Sequence, residues 1–361
     1  MSVLGGLTAG HAQVEVTVDT FGSDTNRFAI EFVTIRNPGN SDDLTAAPYQ
    51  LGGVSYYYRM GRYEISEDIV NKANVLGNLN IVVSNSGTNK PARMVTFLEA
   101  ARFVNWLNVT AGYRPAYRFS AQGEWLLWPS EESWRVDQEN RYRHKEAFYF
   151  IPSADEWYKA AYFDGTKYFR YPTGSNSAPA PVARGTEQGT AVYGQQEESG
   201  PADVNEAGGL SPYGTMAQGG NVWEWVETAF DGGNDTTDEL LQVRGGRWST
   251  VASTLRSSAC NNARPWQGVT GTTGFRIAAR AQVDPVPPEL VLRRLPEAGA
   301  LEFAWASESG VAYDVERGAT PSGPYVTIET MSGTGGELRF VFRPNPDANG
   351  FYRVVATRVG L

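Results

Sequence analysis

The chain has 361 residues, of which 41% are hydrophobic and 12% aromatic, a length and composition typical of a globular protein with more than one domain. Its net charge of −9 argues against a nucleic-acid partner, since binding to phosphates needs a clustered basic surface. No apolar run reaches the roughly 18 residues of a membrane span.

The first residues resemble the end of a secretory signal. Residues 3–13, VLGGLTAGHAQ, combine an apolar stretch with small residues before a cleavage position after Ala12, but the positively charged start is missing. Residues 1–12 are therefore the remainder of a leader or a flexible end, and we favour an exported protein that is periplasmic, at the cell surface or extracellular. Because Cys260 is the only cysteine, export has no support from disulfide pairing.

Three short helices are predicted from the patterns at their N-termini. Ser66 is a suitable cap for a helix whose first residues, Glu and Asp, favour its positive end. Thr96 with Glu99 and Ser153 with Glu156 form capping-box patterns, and each pattern precedes an apolar stripe.

The most informative stretch lies in the second half of the chain, between Gly220 and Arg276. After about Asp164 the chain is rich in Gly, Pro, Ser, Thr and Asn, which predicts short strands joined by long ordered loops. Within it four motifs follow one another: GNVWEW, VRGGRW, LRSSACNNARPW and TGFRIA. Alternating apolar residues flanked by glycines are typical of strands that approach another backbone closely. The sequence therefore predicts an α+β layout with a Trp-rich β core.

A second domain is predicted beyond a Pro-rich segment. Residues 281–290 include PVPP, which is typical of a stiff, extended linker. Residues 291–361 contain short apolar runs separated by Gly, Pro and Asn, which predict a small all-β sandwich of the fibronectin-III or immunoglobulin-like kind. A spacer, surface attachment or partner contact would suit such a domain. The predicted strands are Leu301–Trp305, Ala312–Arg317, Tyr325–Ile328, Leu338–Phe342 and Phe351–Ala356.

The histidines limit the chemistry. The chain has two, His11 in the suspected leader and His144, which we expect at the solvated surface. Ser-His-Asp and Cys-His arrangements are nearly excluded, because a general base near pH 7 is normally His. Iron or zinc sites built from several histidines are excluded.

Taken together, these motifs resemble the formylglycine-generating enzyme (sulfatase-modifying factor) family, a branch of the C-type-lectin fold. Segments further upstream share the resemblance, which covers roughly residues 28–280. It implies a C-type-lectin-like domain of the α+β class, with long ordered loops, over residues 13–280. The upstream segments are RYEIS at 62–66, ARFVNWLN at 101–108, FIPSADEWYKAAYF at 150–163 and SPYGTMAQGGNVWEW at 211–225.

Formylglycine generation in that family uses a pair of cysteines that bind copper, since soft thiolates select monovalent copper. The corresponding positions here are Thr250 and Leu255, neither of which can bind copper. Cys260 matches a third family position outside the pair. The resemblance therefore implies a protein that does not generate formylglycine, and we expect no copper.

Calcium is the other cofactor that the resemblance implies, held by oxygen ligands. It assigns the backbone carbonyls of Gly220 and Val222 and the carboxylate of Glu224 to one site, but a further donor of the family is replaced by Ala217. The alternative is that Glu224 binds backbone amides or an Arg in a buried polar network. Both alternatives stay open from the sequence.

Residues 247–273 place small residues of mixed polarity between anchors such as Trp248, Leu255 and Phe275, as a ligand-facing surface on a rigid scaffold needs. The layout is similar to the variable region of retroelement-diversified proteins of the same fold, in which adenine-directed mutation of Asn codons yields Ser, Thr, Ala, Val, Gly and Cys. Trp266 and Gln267 cannot arise in that way, and the alternative is a plain loop. The predicted ligand-binding residues are Ser249, Thr250, Val251, Ala252, Thr254, Cys260, Asn261, Asn262, Trp266, Gln267 and Thr270.

Two classes of function follow. The first, which we favour, is a non-catalytic recognition protein that binds a protein or a glycan at the surface of residues 249–273, with the sandwich domain as stalk or attachment. The second is an enzyme of the wider family, an oxidoreductase or a metal-dependent enzyme, with a different active site in the same groove. We assign no catalytic residues, because forty acidic residues offer no means of selecting a pair.

Overall fold

The structure is a computed structural model, which describes residues 15–267, 271–281, 288–297, 299–307, 311–343 and 350–358. The chain divides into two compact units, Met1–Ala281 and Gln282–Leu361. Of the predicted linker at 281–290, residues 282–287 lie outside the described part of the chain, as does the suspected leader.

The first unit contains three helices, α1 (Glu67–Gly77), α2 (Phe97–Thr110) and α3 (Ala154–Tyr162). Ser66 Oγ accepts a hydrogen bond from a backbone N–H of the first turn of α1, at 3.4 Å. The capping boxes of α2 and α3 are both formed, which confirms the predicted starts of these helices.

Fifteen strands in the described part of the first unit accompany these helices. They are β1 (Val16–Phe21), β2 (Phe28–Ile35), β3 (Tyr58–Gly61), β4 (Arg118–Phe119), β5 (Trp125–Leu126), β6 (Ser133–Trp134), β7 (Asn140–His144), β8 (Tyr149–Phe150), β9 (Ala180–Pro181), β10 (Thr190–Ala191), β11 (Trp223–Ala229), β12 (Leu241–Arg244), β13 (Asn261–Ala263), β14 (Thr273–Gly274) and β15 (Ala278–Arg280).

Two sheets organise the unit. An antiparallel five-stranded sheet has the order β1-β2-β3-β15-β8, and a four-stranded sheet has the order β13-β12-β11-β14. Only the β11–β14 pair of the four-stranded sheet is parallel. Side chains of α2 pack against both motif regions of the sequence, with Phe97 facing Trp225 and Phe103 facing Phe275 at ring-centroid distances of 6.0 and 5.5 Å. The unit is therefore α+β and rich in strands, as the sequence predicts.

The long segment between α3 and β11 contains only the short strands β9 and β10, apart from a brief 3-10 turn. It is nevertheless held by its own buried side chains, since Val192, Met216 and Val222 form an apolar cluster with Trp248. Long irregular segments of this kind commonly carry function when a rigid scaffold positions them.

The second unit contains two three-stranded sheets with the orders β16-β17-β20 and β19-β18-β21. Side chains of both sheets meet in one core around Trp305, Tyr313 and Val315, as in a β-sandwich. The five predicted strands are present with bounds within four residues of those expected, and the sequence reasoning missed the strand at 291. The strands are β16 (Val291–Arg294), β17 (Leu301–Ala306), β18 (Val311–Gly318), β19 (Tyr325–Ser332), β20 (Glu337–Phe342) and β21 (Phe351–Arg358).

Within the described residues, no helix has the length and apolar character that crossing a membrane would require.

Candidate functional site

A buried ion pair joins the two ends of the motif-rich stretch. Arg276 donates hydrogen bonds from Nε and Nη2 to the two carboxylate oxygens of Glu224, each at 2.6 Å, and neither residue is exposed to solvent. Trp157 of α3 donates its Nε1–H to the same carboxylate at 2.7 Å. Arg276 also donates to the backbone carbonyls of Gly61 and Met216. One arginine therefore ties β11, α3, β3 and the long irregular segment together.

The turn before β11 is held by a second buried carboxylate. Glu64 accepts hydrogen bonds from Asn221 Nδ2 at 2.6 Å and from the backbone N–H of Val222 at 3.2 Å. Burial, with the neighbouring Glu224 carboxylate, raises the pKa of Glu64 well above its ordinary value. Gly220 has a φ of 93°, and a Cβ there would lie 2.2 Å from the backbone oxygen of Val192. This position therefore requires glycine for both its conformation and its space.

The three residues assigned to calcium by resemblance, Gly220, Val222 and Glu224, lie in this network. Both oxygens of Glu224 accept hydrogen bonds from Arg276, so a guanidinium already lies where a calcium ion would need the carboxylate. Among the described residues, no group of three or more His, Cys, Asp or Glu is arranged to hold a metal. Glu224 therefore takes part in a buried arginine network, the alternative to a calcium site that the sequence left open. This arrangement weighs against calcium at the Glu224 carboxylate.

The positions that correspond to the copper-binding cysteines are part of a packed turn. Thr250 Oγ1 accepts a hydrogen bond from the backbone N–H of Arg247 at 3.0 Å and lies 2.8 Å from Thr254 Oγ1. Leu255 is fully buried. A Cβ on Gly246 would lie 2.8 Å from Thr254 Oγ1, so the glycine permits the close packing of this turn. Thr250, which we expected to contact a ligand, has a structural role here.

Trp248 has two guanidinium groups close to its ring and joins the turn to the segment around Glu197. The guanidinium carbons of Arg93 and Arg247 lie 5.6 and 5.3 Å from the Trp248 ring centroid. Trp248 Nε1 donates to the backbone carbonyl of Glu197 at 3.0 Å. The carboxylate of Glu197 accepts hydrogen bonds from Ser249 Oγ at 2.7 Å and from Arg247, and these bonds lower the pKa of Glu197.

The sequence reasoning missed Glu197. It lies about fifty positions before the residues that it binds, and its surroundings of Gln, Glu and Ser resemble any polar loop. The only available signal was its acidic side chain, which could bind an Arg-containing turn. The sequence does not show which turn the loop contacts.

Seven of the predicted ligand-binding residues fall into two patches, whereas Cys260 precedes β13 and Asn261 and Asn262 belong to it. Residues 249–254, the turn patch, follow the end of β12, whereas residues 264–267, the Trp266 patch, follow the end of β13. Because β13 runs antiparallel to β12, with Ala263 opposite Leu241, the two patches leave opposite ends of this strand pair. The four residues of β12 span roughly 10 Å. A ligand that contacts both patches must therefore cover the β12–β13 edge.

Exposure within the two patches is uneven. Val251 is 65% exposed and Trp266 49%, and Gln267 is exposed as well. The remaining predicted contacts are half-buried, and Thr270 lies outside the described residues. The half-buried residues are Ser249, Thr250, Ala252, Thr254, Cys260, Asn261 and Asn262.

Trp266 is exposed but anchored. The guanidinium carbon of Arg264 lies 5.7 Å from the centroid of its ring, and Arg264 also donates to the backbone carbonyl of Asp238. The backbone carbonyl of Pro265 accepts from Leu98 N–H in α2, at 3.3 Å. A half-exposed Trp beside an Arg on a fixed backbone is a composition typical of interface hot spots.

The thiol of Cys260 and the imidazole of His144 are both packed against neighbouring side chains. Cys260 Sγ lies 3.5 Å from Gln242 Oε1, and burial raises the pKa of its thiol, so the thiolate needed for chemistry is disfavoured. His144 is 5% exposed, accepts a hydrogen bond at Nδ1 from the Glu146 N–H, and packs against the Trp128 ring. Our expectation of a solvated His144 was wrong, because the strand that carries it is covered by this aromatic ring.

Most of the chain matches a known protein family. Residues 46–281 match the sequence family described as the sulfatase-modifying factor enzyme 1-like domain (FGE-sulfatase). Among curated proteins, none matches the chain.

The solved structures that are similar to the chain include three named proteins. They are Treponema denticola variable protein 1 (18% identity, 73% of this chain and 99% of that chain, TM-score 0.50), CarF (19%, 70% and 99%, 0.49) and PvdO from Pseudomonas aeruginosa (17%, 73% and 98%, 0.46). At 18% identity, the likeness to the first shows a shared fold.

Proposed function

The chain belongs to the sulfatase-modifying factor enzyme 1-like domain family, and on this scaffold we propose an exported protein that recognises a ligand through the surface around residues 249–273. The observation that supports this proposal most directly is the exposure of Val251 and Trp266 on an otherwise buried framework. Trp248 and Leu255 are buried on the same stretch. Exposed apolar side chains on a fixed backbone are typical of contact surfaces.

The framework supports the proposal energetically. The ion pair of Glu224 with Arg276 and the bonds of Glu197 fix the backbone on both sides of the turn patch before any ligand arrives. A surface that is ordered in advance loses less entropy on binding. An exposed side chain of the turn patch such as Val251 can therefore vary while the scaffold keeps its position.

Retroelement diversification of residues 247–276 belongs to the same proposal. Within residues 249–262, every half-buried or exposed position except Arg256 is Ser, Thr, Val, Ala, Cys or Asn, which adenine-directed changes of Asn codons produce or leave. Trp266 and Gln267 would then be fixed residues. A near-copy of the DNA encoding residues 247–276 in the same genome, differing only at adenines and accompanied by a reverse transcriptase gene, is the expected finding. A genome with neither would contradict diversification and leave ligand recognition intact.

The experiment that tests recognition is a binding screen of the full chain on arrays of glycans, peptides and surface proteins. The test variant combines Val251→Ala with Trp266→Ala, which truncates the two exposed apolar side chains of the patches. We leave Thr250 unchanged, because its hydroxyl holds the turn. Binding in the screen should fall at least tenfold in this variant, on the order of 1.4 kcal/mol or more.

The matched control combines Leu44→Ala with Val82→Ala, which are 75% and 62% exposed outside both patches. It should bind as the unchanged protein does. Equal binding by the Val251 and Trp266 variant, with the fold intact, would place the contact surface elsewhere. The absence of any ligand on all three arrays would contradict the recognition proposal itself.

A further inference from the structure

A second surface feature lies away from the two patches. A groove of about 540 Å³ is lined by residues 37–42, which follow β2, and by four residues that follow α3: Phe163, Gly165, Thr166 and Tyr168. Ligand sites are typically concave and fall within roughly 300–1,000 Å³. The groove is therefore large enough for one or two sugar rings.

Three polar groups that line the groove have no protein partner among the described residues. They are the amide Nδ2 of Asn37, the hydroxyl of Ser41 and the second carboxylate oxygen, Oδ2, of Asp42. Together they offer two N–H donors, one hydroxyl that both donates and accepts, and one carboxylate acceptor. A pair of neighbouring hydroxyl groups on a ligand presents the complementary set, because each hydroxyl donates and accepts.

The other polar groups of the groove fix its shape. Asn37 Oδ1 accepts from Tyr213 OH at 3.0 Å, and the backbone carbonyl of Asn37 accepts from the buried Nζ of Lys159 at 2.8 Å. Asp42 Oδ1 accepts from the backbone N–H of Gly53 at 2.7 Å. These bonds hold Asn37 and Asp42 in place while leaving one end of each side chain free, which is the arrangement of a site formed in advance.

Tyr168 joins the two walls and supplies an apolar surface. Its hydroxyl donates to the backbone carbonyl of Ser41 at 2.9 Å and lies 2.6 Å from Asn40 Nδ2. Its ring lies 4.7 Å from the ring of Phe163, which also lines the groove. Aromatic rings beside hydrogen-bonding groups suit the C–H faces and hydroxyl edges of a sugar ring.

The charge of the groove selects among ligands. Asp42 is the only charged residue among those lining the groove, and the whole chain carries a net charge of −9. A phosphate or a carboxylate would meet this negative charge without a cation to bind. We propose that the groove binds a neutral saccharide of one or two rings, through Asn37, Ser41 and Asp42 with Tyr168 at its wall.

The test uses the full chain and four neutral disaccharides: maltose, lactose, cellobiose and N,N′-diacetylchitobiose. Saturation-transfer NMR should show binding of at least one of them, with a Kd on the order of 1 mM as expected for an open groove. The test variant combines Asn37→Asp, Ser41→Ala and Asp42→Asn. The variant keeps the net charge, and residues 37 and 42 keep the oxygens that accept hydrogen bonds from Tyr213 and Gly53. The free end of residue 37 changes from a donor to an acceptor, and the free end of residue 42 changes from an acceptor to a donor.

The matched control makes the same three changes on exposed residues outside the groove: Asn78→Asp, Ser177→Ala and Asp24→Asn. Saccharide signal should fall at least fivefold in the test variant and stay unchanged in the control. Binding of none of the four disaccharides, or equal binding by the test variant, would overturn the proposal. Because Val251 and Trp266 do not line the groove, their variant should keep saccharide binding, so failure here and failure of the recognition surface are distinguishable.

Discussion

Arg276 and Glu224 form a fully buried ion pair with two hydrogen bonds of 2.6 Å, although 52 positions separate them in the chain. The pair connects the GNVWEW and TGFRIA motifs, whose backbones meet where Glu224 lies beside Gly274 in the β11–β14 pair. Each motif supplies one partner of this buried ion pair, and a buried charge without its partner is strongly destabilising. The fold therefore depends on both motifs.

Replacing Glu224 by Gln should strongly destabilise the first unit. The change removes the carboxylate that binds Arg276 directly and leaves only the neighbouring Glu64 carboxyl near the buried guanidinium, and breaking a buried pair costs about 3–5 kcal/mol. The free energy of unfolding of the first unit, measured by denaturant with Trp fluorescence, is the readout. Glu31→Gln is the control, because the Arg62–Glu31 pair is partly exposed and should contribute less than about 1 kcal/mol. Equal losses in the two variants would contradict the role given to the buried pair.

Gly220→Ala should destabilise the protein more than Gly39→Ala. Both glycines have positive φ, 93° and 77°, so both variants carry the backbone strain of about 1–2 kcal/mol. Only Gly220 is crowded: its Cβ would lie 2.2 Å from the Val192 oxygen, whereas a Cβ on Gly39 meets no atom within 4 Å. The difference in the free energy of unfolding should exceed about 2 kcal/mol, a size typical of steric conflicts in a core. Similar losses at both positions would show that strain alone decides the effect.

Asp155 should make stability depend on pH. Its burial raises its pKa to about 7, above the ordinary value of 3.8. The stability contributed by the protonated carboxyl is therefore present at acidic pH and lost as the pH rises through about 7. Asp155→Asn keeps an acceptor for the N–H of Gly52 and removes this titration.

Relative to the unchanged protein, the variant should gain about 2–3 kcal/mol of stability between pH 5 and pH 8, because the interval from pH 5 to the pKa of about 7 spans roughly two units of about 1.4 kcal/mol each. Denaturant unfolding at the two pH values provides the measurement. Asp24→Asn, at an exposed position, should show no such change. Parallel pH profiles for Asp155→Asn and the unchanged protein would refute the prediction.

Glu197→Ala should loosen the turn patch without unfolding the protein. The carboxylate of Glu197 binds Arg247 and Ser249 at the surface, so its loss should cost less than about 1 kcal/mol of global stability. Hydrogen exchange of the backbone amides at 247–251 should nevertheless become faster, because the turn loses a partner. Glu198→Ala is the control, a neighbouring exposed glutamate with no hydrogen bond to the described residues. Unchanged exchange at 247–251 would mean that Trp248 alone orders the turn.

The helix starts could be predicted because their causes are local. Ser153 and Glu156 satisfy each other's backbone N–H groups three residues apart, so the pattern is readable from four letters of sequence. The strands of the second unit were similarly readable from alternation and turn residues, apart from β16, whose residues are all exposed.

The candidate site was less predictable, because its contacts are long-range. Thr250 is a small polar residue of the kind expected at a contact surface, yet its hydroxyl accepts a hydrogen bond within the turn. Trp266 and Val251 are both exposed, but their separation across the β12–β13 pair depends on strand register. The groove at residues 37–42 left no sequence signal, since its second wall comes from residues 163–168.

The sequence by itself determined the family, the α+β class and the starts of the helices, because motif order and capping depend on residues that are near one another in the chain. Only the tertiary structure decided that Glu224 is bound by Arg276 and that Glu197 orders the turn patch. Each of these contacts joins residues at least fifty positions apart. Such a contact forms only after sheets and loops are packed, and residue type alone does not name its partner.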